Sequence, residues 1–355
     1  MSPRTGAAGK LPLEEIKVVE FASLLPGPAC GQWLVALGAE VTKIEPPGGD
    51  PARTLYGGRV FDAVNAGKNS VILDLKGEDG SIALDMVRSA DVLIEGFRPG
   101  VADRLGLGES DVRPINPNLI YCSLVGYDPD GAQRDEPSHD LLFLAQSGVL
   151  EIPGSWGAGG PGDRPGLPLG DLAGAAIATS SILAALFARS NGGGGARLVV
   201  PIYDALLSWV GIRARPGEGG PITAHLDPAN DVYRCRDGRR VAVAAVEDKF
   251  WGAFCDLVGG PVEHLRGLGW AERQERGSEI AAGLRAVFEQ DDAKSWADKL
   301  IAAGVPAALV RRPGEAMADP TAYRATHGYP LPNFGYGGQQ LRPPPRHPDR
   351  EDDHR

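Results

Sequence analysis

The sequence of 355 residues has few of the features that would assign a chemistry outright. Its four cysteines, Cys30, Cys122, Cys235 and Cys255, fit no zinc or Cys-x-x-Cys spacing, so they are expected to be reduced and buried. No cluster of His, Cys, Asp or Glu has metal-ligand spacing. There is no Gly-x-Ser-x-Gly nucleophile elbow and no Walker phosphate loop. Basic residues are outnumbered, with a net charge of -10, so nucleic acid is excluded as an expected partner. The N-terminal stretch lacks the apolar segment of a signal peptide, and no apolar run is read as long enough to span a bilayer. The expected location is therefore cytoplasmic, with no membrane partner. Aromatic residues are scarce at 6%.

Glycine and proline are plentiful, at 49 and 30. They gather in loops and in the last twenty residues, which describes a loop-rich enzyme rather than a disordered chain. Between them, strand and helix patterns alternate. Residues 16–21, 39–45, 70–75, 91–95 and 119–124 are rich in β-branched and apolar side chains and are predicted strands. Helical patterns fall at 29–37 and 78–89, the first ended by Gly38. This alternation predicts an α/β, Rossmann-like doubly wound large domain over residues 14–205. A Gly/Pro-rich loop at 154–170 precedes an apolar helix at 173–189, and a loop of that length is often functional. A smaller α+β domain is expected over 228–310, opening with a hairpin whose turn is Asp237-Gly238. The segment 311–355 is expected to return to the large domain, with its Pro-rich, charged tail partly disordered.

Few side chains stand out as acid/base candidates. Of the six histidines, His139 opens an apolar helix within Ser138-His139-Asp140, whereas His225, His264, His327, His347 and His354 have no such setting. Ser138 or Asp140 could simply cap that helix. Asp171 follows Leu167-Pro168-Leu169-Gly170 and precedes an Ala-rich helix. A helix cap explains it on residue chemistry alone, although apolar surroundings would raise its pKa. Glu247 follows the strand 241–246 and is either a histidine-orienting acid or another cap.

Order and spacing of short segments add what these residues alone do not. Leu25-Pro26-Gly27-Pro28, Leu37-Gly38-Ala39-Glu40-Val41-Thr42-Lys43-Ile44-Glu45, Gly67-Lys68-Asn69-Ser70, Glu95-Gly96-Phe97-Arg98-Pro99-Gly100-Val101 and Asn116-Pro117-Asn118-Leu119-Ile120-Tyr121 follow one another as in family III CoA-transferases and racemases. The chain resembles that family from about residue 14 to 320, and within it the α-methylacyl-CoA racemase branch. Ser138-His139-Asp140, Gly170-Asp171 and Val246-Glu247-Asp248-Lys249-Phe250 resemble that branch's three acid/base segments.

The resemblance implies racemisation at carbon 2 of a 2-methylacyl-CoA, with His139 and Asp171 on opposite faces and Glu247 orienting or charging His139. Backbone N–H groups where the helix begins near Asp171 would hold the enolate oxygen. It implies no metal or organic cofactor beyond the CoA of the substrate. CoA contacts would fall on Leu73, Asp74, Lys76, Arg98, Ser138, Asp140 and Phe143. It also implies an interlocked homodimer, with Glu247 supplied by the partner subunit. Phe143 stands where the family often has an aromatic hydroxyl, and Pro46 where it often has arginine. Two other readings stay open: a CoA-transferase using Asp171 as nucleophile, and a non-catalytic CoA-binding dimer.

Overall fold

The computed structural model describes residues 11–155, 164–217 and 223–317. The chain divides into two compact units. The described part of the first holds residues 11–147 and 167–209, and that of the second holds 148–155, 164–166, 210–217 and 223–317.

The first unit is built on six strands: β1 (Lys17–Phe21), β2 (Glu40–Glu45), β3 (Asn69–Ile72), β4 (Val92–Glu95), β5 (Ile120–Val125) and β6 (Ala196–Pro201). They form one parallel sheet in the order β3-β2-β1-β4-β5-β6. This is the doubly wound arrangement the alternating pattern predicts, with the direction of winding reversing between β1 and β4. The helices are α1 (Pro26–Ala36), α2 (Arg59–Asn65), α3 (Gly80–Arg88), α4 (Val101–Arg104), α5 (Glu109–Val112), α6 (Asp140–Gln146), α7 (Leu169–Ser190) and α8 (Ile202–Val210).

Side chains alternate along each strand, so the sheet has two apolar faces. Val18, Val41, Val92, Ile94, Ile120 and Cys122 meet α1 and α7 on one face. Val19, Phe21, Ile44, Leu93 and Tyr121 join the cluster of Ala83, Val87 and Val112 from α3 and α5 on the other. All six residues of β5 are buried, as expected of a strand covered on both sides.

Among the differences from the sequence reading, the strand expected at 70–75 ends at Ile72, and two others bear on the sheet and the site. The strand β6 is absent from it because Arg197 and Pro201 interrupt the apolar pattern; an edge strand tolerates both. The apolar helix begins at Leu169, four residues before the expected start. At 22 residues, with a mean hydropathy of 1.6 over 18 of them, α7 has the length and composition of a membrane span, which the sequence reading missed. Its residues Ala173, Ala175, Ala178 and Ile182 are instead fully buried in the core beside the sheet.

The second unit holds an antiparallel sheet of β7 (Asn230–Arg234), β8 (Arg240–Ala244) and β9 (Ala307–Leu309), in that order. The expected hairpin turn is present, with Gly238 at φ 73°. Between β8 and β9 lie α9 (Asp248–Val258), α10 (Gly260–Glu263), α11 (Trp270–Glu275), α12 (Gly277–Phe288) and α13 (Ala293–Ala302). A final turn, α14 (Pro313–Met317), ends the described chain. Aromatic rings pack against one another in the core of this unit. Tyr233 stacks on Phe288 with centroids 4.6 Å apart, Phe288 meets Trp296 edge-on at 5.2 Å, and Trp251 stacks on Phe254 at 5.5 Å. The four cysteines are buried and unbonded, as expected. The expectation of a partly disordered tail falls on residues from 318 onward, which lie outside the described residues, as do residues 156–163 of the Gly/Pro-rich loop.

Candidate active site

In a doubly wound sheet the crevice beyond the carboxyl ends of the strands, where winding reverses, is the natural ligand site. Here a cavity of about 490 Å³ opens at that point. Its walls come from the loop after β1 (Ala22 to Gly27), the segment after β4 (Gly96 to Arg104), the end of β5 (Leu124 to Tyr127), and His139 and Asp171.

His139 occupies the N-cap position of α6 in extended conformation, φ -146° and ψ 163°, yet its side chain caps nothing. Among the described residues its ring has no hydrogen-bond or ion-pair partner. Ser138 approaches β5 closely enough that a Cβ on Gly126 would sit 2.2 Å from the Ser138 hydroxyl. Glycine at 126 is therefore what lets the His139 segment lie against the strand end.

Asp171 lies within the first turn of α7, not ahead of it, which removes the capping explanation. The cap comes from elsewhere. Asp140 Oδ1 accepts the N–H of Gly170 at 2.8 Å and of Asp171 at 3.4 Å. A carboxylate from α6 thus satisfies two orphan donors of α7 and sits at its positive end. Asp140 is 7% exposed, and its Oδ2 has no hydrogen-bond partner. The Asp171 carboxyl itself has no partner among the described residues. Burial, and then the nearby Asp140 charge, push its pKa up from 3.8 to about 7. Apolar surroundings foreshadow the first cause; the sequence gives no sign of the second.

One expectation changes here. The N–H groups of Gly170 and Asp171 are committed to Asp140, and that of Leu172 to the Pro168 carbonyl at 3.1 Å. They are not free to hold an enolate oxygen.

The remaining candidates separate. Arg98, Ser138 and Phe143 line the cavity, and Asp140 lies beside it under α7. Leu73, Asp74 and Lys76 follow β3 and are not part of its lining; Leu73 is buried, and Asp74 accepts the Lys76 N–H at 3.0 Å. Glu247, in the second unit, is the N-cap residue of α9, but its exposed side chain makes no cap bond. Its carbonyl accepts the N–H groups of Phe250 and Trp251. His225 is spent on the Pro153 carbonyl at 2.8 Å. His327, His347 and His354 lie outside the described residues. Among the lining residues that no functional expectation covered are Ser23, Arg104, Arg134 and Tyr127. Tyr127 donates to Gln146 Oε1 at 2.7 Å and meets the Phe143 ring edge-on at 5.5 Å. Nothing in their spacing signals a shared site.

Fold and cavity together define a doubly wound α/β protein with an imidazole and a carboxylic acid of raised pKa at its ligand crevice. Residues 13–333 match the profile of CoA-transferase family III, and the chain belongs to that family of acyl-CoA enzymes. It is 35% identical over 324 residues to acetyl-CoA:oxalate CoA-transferase of Acetobacter aceti, covering 86% of this chain and 82% of that one. It is 34% identical over 288 residues to the alpha-methylacyl-CoA racemase of Mus musculus, covering 76% and 72%. Among solved structures, a CAIB/BAIF family protein from Brucella suis superposes with a TM-score of 0.76 at 28% identity, covering 88% of each chain.

Proposed function

We propose that the protein inverts the configuration at carbon 2 of a 2-methylacyl-CoA by moving one proton between two groups. The observation that carries this reading is that His139 and Asp171 line one cavity, both without a partner among the described residues, with the Asp171 carboxyl pushed up to about 7. Racemisation needs a base on one face of the carbon and an acid on the other. A carboxyl that titrates near neutrality can serve as either at physiological pH. The thioester acidifies the α-proton; His139 or Asp171 removes it, an enolate forms, and the other group returns a proton to the opposite face. Arg98 and Arg104 in the cavity wall suit the CoA phosphates. Leu73, Asp74 and Lys76 would meet the nucleotide end of an extended CoA. No cofactor beyond CoA enters this scheme.

Glu247 completes the reading as a third acid, delivered by the second subunit of a homodimer. Its exposed carboxyl, free of partners among the described residues, supports a role outside its own unit. Large exposed apolar side chains on the first unit, including Phe187 at 72% and Trp209 at 43%, support a subunit interface.

A CoA-transferase is the second reading, favoured by the transferases among the relatives. In it Asp171 attacks the thioester and carries a covalent intermediate. A carboxyl that titrates near 7 holds both of its protonation states at neutral pH and is matched to giving and taking a proton, which is why the proton-transfer reading is preferred. The test is incubation with each enantiomer of a 2-methylacyl-CoA in deuterated water. Deuterium at carbon 2 from both enantiomers supports racemisation. Absence of incorporation, together with an adduct on Asp171 when acyl-CoA and an acceptor acid are supplied, overturns it in favour of transfer.

A further inference from the structure

The loop after β1 forms one wall of the cavity through Ala22, Ser23, Leu24, Pro26 and Gly27. Its backbone is strained at one point: Leu24 has φ 65°, a left-handed conformation that costs a residue with a side chain roughly 1–2 kcal/mol. Something must hold it there. Leu24 N–H donates to both carboxylate oxygens of Asp50, at 3.2 and 3.3 Å. On either side of Leu24, the Ala22 carbonyl accepts from Lys43 Nζ at 2.7 Å, and the Pro28 carbonyl accepts from Lys68 Nζ at 2.8 Å.

These three side chains form one buried set. Lys43 Nζ lies 2.8 Å from Asp50 Oδ2 and 3.3 Å from Glu20 Oε1, and Lys68 Nζ lies 2.7 Å from Glu20 Oε2. Glu20, Lys43, Asp50 and Lys68 are each no more than 4% exposed. Burying four ions costs several kcal/mol for each, and a set of well-packed apolar residues is often at least as stabilising. Stability alone is therefore a poor account of the set. What it does that apolar residues cannot is bond two backbone groups of one irregular loop, at Ala22 and Leu24, and a third at Pro28, where α1 begins.

We propose that Asp50, Lys43 and Lys68 are positioning residues that clamp the loop so that Ser23, between two anchored neighbours, presents its N–H and hydroxyl to the thioester oxygen of the ligand. Neither Ser23 donor has a partner among the described residues. The N–H groups at the start of α7 that would otherwise serve are taken by Asp140. The inference rests on the acyl-CoA reading of the cavity, and its test separates the two.

The deciding comparison is Asp50→Ala in two backgrounds. Glycine adopts the left-handed conformation without strain, so Leu24→Gly should make the clamp less necessary. Asp50→Ala alone is expected to lower kcat by about a hundredfold, the scale of a small misplacement of a reacting group, with KM altered less than threefold. In the Leu24→Gly background the same substitution should cost no more than about threefold. An equal loss in both backgrounds, or a single variant within threefold of the unaltered protein, overturns the proposal.

Hydrogen exchange on the unaltered protein supplies an arm that needs no variant and no activity. The Leu24 amide should exchange at least a hundredfold more slowly than an unprotected amide, and exchange at the unprotected rate would sink the clamp even if Asp50→Ala fails to fold. Absence of both α-proton exchange and CoA transfer in the unaltered protein would instead refute the functional reading and leave the amide result to judge the clamp.

Discussion

At the scale of single residues, Asp171 sets up a conflict between stability and use. Its folded pKa of about 7 lies above the unfolded value of 3.8, so between those values the folded state holds more protons than the unfolded one. Its ionisation therefore weakens the fold as pH rises through that window, with nothing lost below 3.8 and the full cost present above 7. Asp171→Asn removes the cost. We expect this variant to be more stable than the parent at pH 8, by on the order of 2 kcal/mol. That figure is about half of what the shift alone implies, because the carboxyl lines an open cavity. The gain should vanish near pH 4, as thermal melts at the two pH values would record; an equal gain at both would contradict the burial account. His139→Ala and Asp171→Ala should each abolish isotope exchange at carbon 2 while leaving the circular dichroism spectrum unchanged. Collapse of the fold in either would restore a structural role for that side chain.

The residue scale is also where sequence reading was weakest on its own terms. His139, Asp171 and Glu247 each sit beside a helix start, where a cap is the simplest explanation of a polar residue. The structure removes that explanation for all three: two side chains cap nothing, and the third lies inside the turn. The residue that does cap α7, Asp140, is 31 positions away from Asp171, and no local pattern encodes such a bond.

At the scale of elements, the coupling between α6 and α7 is what tunes the acid. Asp140 contributes a negative charge beside Asp171 and fixes the two amides that would otherwise be open to it. Asp140→Asn keeps an acceptor oxygen and removes the charge. The limb of the pH–rate profile belonging to Asp171 should move to lower pH, and stability should fall by about 1 kcal/mol from the weakened cap. An unmoved limb would show that burial alone sets the pKa. The strands of the first unit were legible because parallel strands covered on both faces read as apolar runs bounded by turns. The start of α7 was not, because Gly170 and Pro168 read as loop while the bond that makes Gly170 helical comes from α6. The edge strand β6 escaped notice for the same kind of reason: its partner supplies the order that its composition does not.

For the whole molecule, the alternating pattern of the first 125 residues carries the architecture, and the order of short motifs carries the family. Neither reports subunit organisation, since a surface that is apolar and exposed in one chain leaves no distinct mark in sequence. If Glu247 acts in the cavity of a second copy, the protein should sediment at twice the mass of the 37.3 kDa chain. Mixing inactive His139→Ala with inactive Glu247→Gln should then restore part of the activity through hybrid dimers. No restoration after exchange of subunits would place Glu247 outside the reaction or within its own chain's site.

The sheet order has a consequence for how the chain is made. Every strand pair in the first unit is parallel, and β6 joins β5 across 70 intervening residues, 126–195. Such pairings close late, because long loops must be ordered before any ladder bond rewards them. During synthesis the buried strand β5 waits with one edge unpaired until residue 201 has left the ribosome, and an unpaired apolar edge is a template for joining other chains. The hairpin of β7 and β8, by contrast, closes over a handful of residues within microseconds of emerging. The open edge of β5 thus lasts for as long as the chain up to β6 takes to be made, and yield on expression should respond to the rate of synthesis over that interval and to holding chaperones that cover it.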